Sequence, residues 1–592
     1  MDDVTGVLWS LSTLPSAATL LPLVKVILLL LFVFSWDYPL VLLWRLARRA
    51  LGRDEAQMDS GAPCLPALVV IPSLLRRADE LSSMMSTVRS IAENGYPGEL
   101  CIVLSIDGTD DAPELYKQLC VWAQRQSLHA GQRLYVTGTP GRHGKPTAID
   151  HAMGFVKDLV GQGELPKFPP VYVSTDADAD LGPRALERIV RRLQRKHPLT
   201  GWPARAVAGA LHVRGDDFWR GFRHFFSVEG QLNIQVAREY YVSNITRYNI
   251  RWLPITGVPG AFYCTWSEIF LTIPAYMGYL RTLKRRHFWA FWLGRTPPRF
   301  SESNAAPIPE LVAGDTDDTV TAYTATLARY ENGHFTFDPP ATPWHALMYM
   351  LRSLLIDRPL RYEPEARVFT SSPTTIKALF KQRKRWNCSR LELTGRFWPA
   401  LGYHWMLGLP AMTVKFFMAR SVLFGAVAYF VVPLFLWRTS LTTAALIGYA
   451  TNVVVWTLLT LASLVINGEY RYWRLLLGVV FAPAYQILFN WLPCFFGLCS
   501  DVLLFGNVTG FAPEWTLIRG GSTRIALLAR TKRFLALCVR ALVWGDVPLG
   551  AFWLGWGETP WSPSGFEGFT TGKRRSTVPP PSLWFRRNRA DS

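Results

Sequence analysis

Leu20–Trp44 (LLPLVKVILLLLFVFSWDYPLVLLW) sets the first limit on what this chain can fold into. Only Lys25 and Asp37 interrupt it, and the run is too long and too apolar for the surface of a globular domain. About 20 apolar residues cross a bilayer as a helix, and a helix satisfies its own backbone polar groups in hydrocarbon. Asp2 and Asp3 precede the run, while Arg45, Arg48, Arg49 and Arg53 follow it. The positive-inside rule therefore places the next segment in the cytoplasm. A cleaved signal peptide does not fit, because the apolar core is too long and the positive charge follows rather than leads. Apolar runs return near the C-terminus. Ala419–Leu436 and Leu441–Ile466 are expected spans. Leu401–Ala411, with Tyr403, His404 and Trp405, is expected to lie at the interface. Trp473–Phe505 carries Pro483, Asn490 and Pro493, so it reads as one kinked helix or as a span with a re-entrant piece.

The side of the tail is contested by the sequence itself. Three crossings after a cytoplasmic domain would leave it outside, yet Arg530, Lys532, Arg533, Lys573, Arg574 and Arg575 mark it as inside. We expect a cytoplasmic tail, with an interfacial stretch at Leu535–Trp556 and a disordered Pro-, Gly- and Ser-rich end over 557–592. Composition agrees with a membrane protein bearing a polar domain. Of 592 residues 49% are apolar and 18% charged, below the usual quarter for soluble chains. The net charge of +19 sits beside the apolar runs and in the tail, as contact with an anionic bilayer requires. It forms no single stripe across the polar segment, so nucleic acid is not an expected partner. The eight Cys are scattered, without CxxC pairs, which excludes a disulfide framework and a zinc site as readings.

From Pro63 to about Pro399 short apolar strands alternate with polar helical stretches, an α/β signature. Ala67–Pro72 is a first strand, Glu80–Asn94 a helix, and Glu99–Asp107 a second strand that ends in Asp107-Gly108-Thr109-Asp110-Asp111. An acid beside a Gly turn at a strand end can accept bonds from a base or a ribose hydroxyl. Gly141–Gly154 (GRHGKPTAIDHAMG) then brings Gly-rich backbone and Lys145 to a helix start, which favours phosphate. Val171–Asp180 (VYVSTDADAD) is a buried strand that ends in Asp176, Asp178 and Asp180. Carboxylates that close repel unless a cation lies between them, and such hard ligands suit Mg²⁺ or Mn²⁺ carrying a diphosphate. Further on come Gly314–Thr319 (GDTDDT), ahead of a helical stretch, and Gln382-Arg383-Lys384-Arg385-Trp386 within a basic segment. Taken singly, each of these also reads as a solvated turn, a helix cap or a basic amphipathic helix.

In this order the motifs resemble family 2 glycosyltransferases, over about Pro63 to Asp501, with the layout of the processive hyaluronan, chitin, cellulose and Nod-factor synthases. The resemblance implies a GT-A-type α/β glycosyltransferase domain followed by an α-helical transmembrane region. It implies that Asp107 contacts uridine, that Lys145 lies near the nucleotide, and that Asp176 and Asp178 are the metal-binding DxD, with Asp178 the direct ligand and Asp180 a spectator. The general base of an inverting transfer would be Asp318, beside Asp317, with Asp315 in reserve. Gln382, Arg385 and Trp386 match QxxRW and would hold the acceptor sugar and the diphosphate. Trp252–Cys264 resembles the segment lining the acceptor end. The opening Pro72–Glu80 (PSLLRRADE) departs from the family's PxYNE-like start, and no FxVTxKG-type gating segment is evident. Trp266 to about Glu310 is longer than the family requires and is expected to be an amphipathic insertion at the membrane surface.

The domains expected are therefore an N-terminal anchor (1–50), a cytoplasmic GT-A domain (60–400), interfacial and transmembrane helices (401–510) and a basic tail (511–592). The function expected is an inverting β-glycosyltransferase of the plasma (inner) membrane, polymerising sugars from a UDP-sugar donor onto a growing polysaccharide and moving the product through its own helices. Two alternatives stay open: transfer of a single sugar to a lipid or glycan, and a scaffold or transporter with a decayed site.

Overall fold

The computed structural model describes residues 63–142, 144–197, 200–214, 222–249, 258, 260–282, 291, 293–296, 298–300, 317–355, 359–383, 386, 441–467 and 470–493. The expected N-terminal anchor, the interfacial helix over 401–411, the span over 419–436 and the tail lie outside these residues.

The polar segment is a three-layer α/β/α domain built on one eight-stranded sheet of order β3-β2-β1-β4-β7-β6-β10-β5. Its first half is parallel. Strands β1 (Ala67–Ser73), β2 (Leu100–Asp107), β3 (Gln132–Thr139) and β4 (Val171–Thr175) pair side by side, with β1 between β2 and β4. β1, β2 and β4 are near-continuous apolar runs because both faces are covered. Their side chains alternate between two cores. Leu68, Val70, Cys101, Val103 and Tyr172 face one, while Val69, Ile71, Ile102, Leu104 and Val173 face the other. Burying each such Val, Leu or Ile stabilises by about 1.5–3 kcal/mol. Helices α1 (Ala78–Ala92), α2 (Pro113–Gln124) and α4 (Ala185–Gln194) cover the second core, and α3 (Lys145–Gly161) covers the first.

The second half is mixed. β7 (Phe262–Trp266) runs antiparallel between β4 and β6 (Ala206–Val213), β10 (Leu360–Thr370) is parallel to β6, and short β5 (Ala179–Leu181) closes the edge antiparallel to β10. The strand expected over Val-Tyr-Val-Ser-Thr is β4, with Asp176 and Asp178 after its carboxyl end; of the three acids only Asp180 lies on β5, which the sequence did not mark. Helix α5 (Val228–Asn249) follows β6, and α6 (Ser267–Thr282) follows β7.

α6 corrects the expectation of a membrane-surface insertion beginning at Trp266. Its Ile269, Phe270, Ile273, Tyr276 and Tyr279 are buried in the first core, with Phe270 stacked on Tyr172 of β4 at 3.8 Å between ring centroids. The aromatic run that looked interfacial is packing against the sheet. α7 (Asp317–Leu327), the hairpin β8–β9 (Arg329–Glu331, His334–Thr336) and α8 (Pro343–Leu355) complete this face. A helix over residues 376–383 follows β10.

Two further elements are long and apolar enough to cross a membrane. α10 (Leu441–Asn467; the helix over 376–383 is α9) has no charged residue and exposes Leu446, Val454 and Leu458. The other is a helical segment, Tyr470–Trp491, kinked at Tyr472. It is wound tightly over Tyr470–Phe481, α-helical at Ala482–Tyr485 and loosely, as a π turn, over Gln486–Trp491. This is the irregular winding expected from Pro483 and the polar residues near it. Both elements pack on α5. Gln235 donates to the Gly478 carbonyl at 2.6 Å, and a Cβ at Gly478 would lie 2.3 Å from the Ile234 side chain. Only glycine allows that approach.

Candidate active site

The chain runs outward from β1 to β2 and β3, then returns across β1 to β4. The crevice at the carboxyl ends of β1 and β4 is therefore a topological switch point, where open α/β sheets take ligands. Four of the residues singled out from sequence meet along these strand ends.

Asp107, the last residue of β2, is buried at 3% exposure. Its Oδ2 accepts the Gly144 N–H at 2.8 Å, and its Oδ1 the Thr139 hydroxyl at 3.5 Å. Gly144 holds φ at +101° immediately before α3, a conformation open to glycine and strained in other residues. Lys145 is the first residue of α3, one position closer to the helix than the sequence suggests, and its Nζ lies 2.8 Å from Asp176 Oδ1. The ammonium, the helix N-terminus and two acids thus share one strand edge.

Asp176 follows β4 directly, and its N–H donates to the Ala261 carbonyl at 3.3 Å, joining it to the segment expected at the acceptor end. Of that segment, residues 252–257 and 259 lie outside the described residues. Asp178 is in the turn between β4 and β5. Its Oδ2 accepts the Ser371 hydroxyl at 2.5 Å and the Thr370 hydroxyl at 3.4 Å, while Oδ1 accepts no bond among the described residues. Asp180 differs. Its Oδ1 takes the Ser86 hydroxyl at 3.0 Å and its Oδ2 the Arg214 guanidinium at 2.8 Å, so both oxygens are engaged in joining β5 to α1 and to the end of β6.

Whether these acids could hold a divalent cation is decided by their free oxygens. Among the described residues no cluster of three His, Cys, Asp or Glu exists. Asp178 Oδ1 is available, and Asp176 already draws a cation, the Lys145 ammonium. Two carboxylates at a strand end, with the shell completed by diphosphate oxygens and water, suit Mg²⁺ or Mn²⁺. The donor set fits.

Gln382 is half-buried on α9, and its Oε1 is a buried acceptor without a hydrogen-bond partner among the described residues. Trp386 is half-buried, with the Arg383 guanidinium 4.5 Å from its ring centroid. Arg385 lies outside the described residues, as does Asp315. Asp317 opens α7, as expected of an acid at a helix start, and the side chains of Asp317 and Asp318 are not among those described. Thr321, near the start of α7, meets Tyr263, which pairs with Ser174 of β4, at 3.3 Å. The far end, Thr326 and Ala328, accepts the Tyr349 hydroxyl, and Tyr349 lies against Trp202 ahead of β6.

Four residues here, Arg238, Glu239, Tyr240 and Arg383, are assigned no role by any sequence motif. Tyr240 on α5 is half-buried, and burial, with Asp176, Asp178 and Glu239 nearby, raises its hydroxyl to about 12 against the opposing pull of Arg383. It therefore stays protonated, a donor beside the acids. Glu239 and Arg383 form an ion pair at 2.8 Å. Arg238, next to Glu239 in the chain, is fully buried over Trp456 of α10, at 4.6 Å from the ring centroid, and its guanidinium has no hydrogen-bond partner among the described residues.

No protein-family model and no curated protein sequence matches this chain. Among solved structures it is similar to a mannosyltransferase from Pyrobaculum calidifontis in complex with GDP-Man and Mn²⁺. That similarity is 16% identity and a TM-score of 0.34, over 78% of this chain and 98% of that one. It is also similar to GalNAc-T7 with UDP, GalNAc and Mn²⁺, at 15% identity and a TM-score of 0.16, over 25% of this chain and 23% of that one. Likeness at this level establishes neither a family nor a reaction.

Proposed function

We propose that this chain is a metal-dependent, membrane-integrated glycosyltransferase of the GT-A type, taking a UDP-sugar as donor and extending a polysaccharide with inversion. The observation that carries the reading is the meeting of Asp107, Lys145, Asp176 and Asp178 at the switch point of the sheet, with α9 leading away from the Ser371 that bonds Asp178. Asp107 is preset by Gly144 to accept from the nucleoside. Lys145 and the N-terminus of α3 favour the diphosphate. Asp178 Oδ1 and Asp176 would hold Mg²⁺ or Mn²⁺, which when bound supplies Lewis-acid neutralisation of the departing diphosphate. Asp318, beside Asp317 at the start of α7, would take the proton of the acceptor hydroxyl, and Gln382, Arg385 and Trp386 would hold the acceptor sugar. The exposed apolar face of α10 fits contact with lipid, and the polar domain would then be cytoplasmic.

The test is to purify the full chain in nanodiscs and supply UDP-glucose, UDP-N-acetylglucosamine, UDP-glucuronate and GDP-mannose singly with Mn²⁺. Nucleoside diphosphate release and product length are followed. Release from one UDP-sugar, with a product of many sugars, is expected. A one-sugar product restricts the reading to single transfer, and no release from any donor overturns it.

A further inference from the structure

Helix α9, which carries Gln382 and precedes Trp386, is held by Arg383, a residue that the spacing of the motif leaves unspecified. Arg383 is 5% exposed. Its Nη2 donates to Glu239 Oε2 on α5 at 2.8 Å and to the Tyr485 hydroxyl oxygen on the Tyr470–Trp491 segment at 3.2 Å. The Tyr485 hydroxyl in turn donates to the same Glu239 oxygen at 2.8 Å. Three elements far apart in the chain thus close on one carboxylate oxygen. Burial opposes the charge on Arg383 more than any other single influence, yet Glu239, Tyr485 and Tyr240 together outweigh it and hold the guanidinium above its ordinary range.

A guanidinium is planar, so fixing it at Nη2 also fixes what stacks on its face. The stacked group is the Trp386 indole. Arg383 Nε remains a buried donor, and Gln382 Oε1 a buried acceptor, without partners among the described residues. An unspent donor and an unspent acceptor near an aromatic face are what a sugar hydroxyl and its ring would complete. A second tie holds the same junction: the Ser372 hydroxyl, ahead of α9, donates to Asn233 on α5.

We propose that Glu239, Arg383 and Tyr485 form a buried positioning clamp that sets Trp386 toward the acceptor and couples that setting to the apolar Tyr470–Trp491 segment. Acceptor engagement depends on the clamp, whereas donor cleavage, at Asp107, Lys145, Asp176 and Asp178, does not. This inference rests on Trp386 being an acceptor platform, so its test has one arm that needs no activity.

In the full chain in nanodiscs, Glu239→Gln keeps the side-chain volume but removes the charge, and Tyr485→Phe removes one hydroxyl. Hydrogen exchange of the peptide over 376–386 is expected to quicken about tenfold in Glu239→Gln, while that of α3 stays within about twofold. In kinetics, the acceptor KM is expected to rise about tenfold with donor KM and acceptor-free UDP release within about twofold, and Tyr485→Phe to move the same way by less. Unchanged exchange over 376–386 overturns the clamp. So does a parallel fall of UDP release and transfer, which would make the network only a support of the fold. If the parent protein releases no nucleotide from any donor, the proposed function fails, and the exchange arm alone decides the clamp.

Discussion

Asp178 and Asp180 stand two residues apart and should respond in opposite ways to the same substitution. Asp178→Asn removes one charge while keeping an oxygen to accept the Ser371 hydroxyl now 2.5 Å away, so stability should change little. The loss should fall on the cation. A carboxylate charge and a dication about 2.1 Å apart attract by about 4 kcal/mol even with water-like screening. With relaxation of water and diphosphate around the site, we expect Mn²⁺ affinity in the presence of UDP to fall by at least about 100-fold, roughly 2.7 kcal/mol. Asp180→Asn instead loses the pair with Arg214, whose side chains are 29% and 33% exposed, at a cost of about 0.5–1 kcal/mol in stability. Its effect on Mn²⁺ should be negligible, since both Asp180 oxygens already have protein partners. Mn²⁺ titration by electron paramagnetic resonance, with thermal unfolding of the same samples, reads both quantities. An Asp178→Asn protein that binds Mn²⁺·UDP within about threefold of the parent would refute the reasoning, as would an Asp180→Asn protein that loses it.

Two other predictions concern the scaffold. Burial raises the Asp150 carboxyl from 3.8 to about 6, against the pull of Lys157. The folded chain then holds more protons than the unfolded one between those values, so this group's contribution to stability falls as pH rises through that window and stays low above it. His151 beside it is lowered by burial and slopes the opposite way, but equally in parent and variant. Asp150→Asn should therefore raise the melting temperature more at about pH 7 than at about pH 4.5, and equal gains at the two would sink the assignment. At the other end of the domain, Gly478→Val sets a branched side chain against Ile234, where even a Cβ comes within 2.3 Å. Overpacking of this kind costs about 1–3 kcal/mol, and exchange should quicken in α5 and in Tyr470–Trp491 while β1 and β2 stay protected; quickening confined to one side of that contact would contradict it.

The parallel half of the sheet was readable because its signals are local. Ala67–Ser73 and Leu100–Asp107 are near-continuous apolar runs, as a strand covered on both faces requires, and Asp107 sits just where the second run stops. The acids were read as the end of the Val171–Thr175 strand, as they are, but β5 was missed, since acids alternating with Ala look like a solvated turn. Here the chain turns after Thr175 and resumes as β5, where Phe369 of β10 pairs with Asp180. α6 misled for a related reason: aromatics beside basic residues look alike at a bilayer surface and under a sheet, and only the stacking of Phe270 on Tyr172 separates the two. Glu239, Tyr240 and Arg383 were beyond reach altogether. Their meaning comes from partners more than a hundred residues distant, and an isolated Glu or Arg on a helix carries no mark of the partner it will find.

The hydroxyl that bonds Asp178 belongs to Ser371, 193 residues downstream. At about 5–20 residues per second, the ribosome needs on the order of ten to forty seconds to reach it after Asp178 has emerged. During that interval β1–β4 can pair while Asp178 lacks the Ser371 hydroxyl. Completion of the crevice waits for β10, which must insert beside β6 and so report that the later half of the domain has been made. The order of synthesis thus leaves Asp178 without its hydroxyl partner until the sheet is whole.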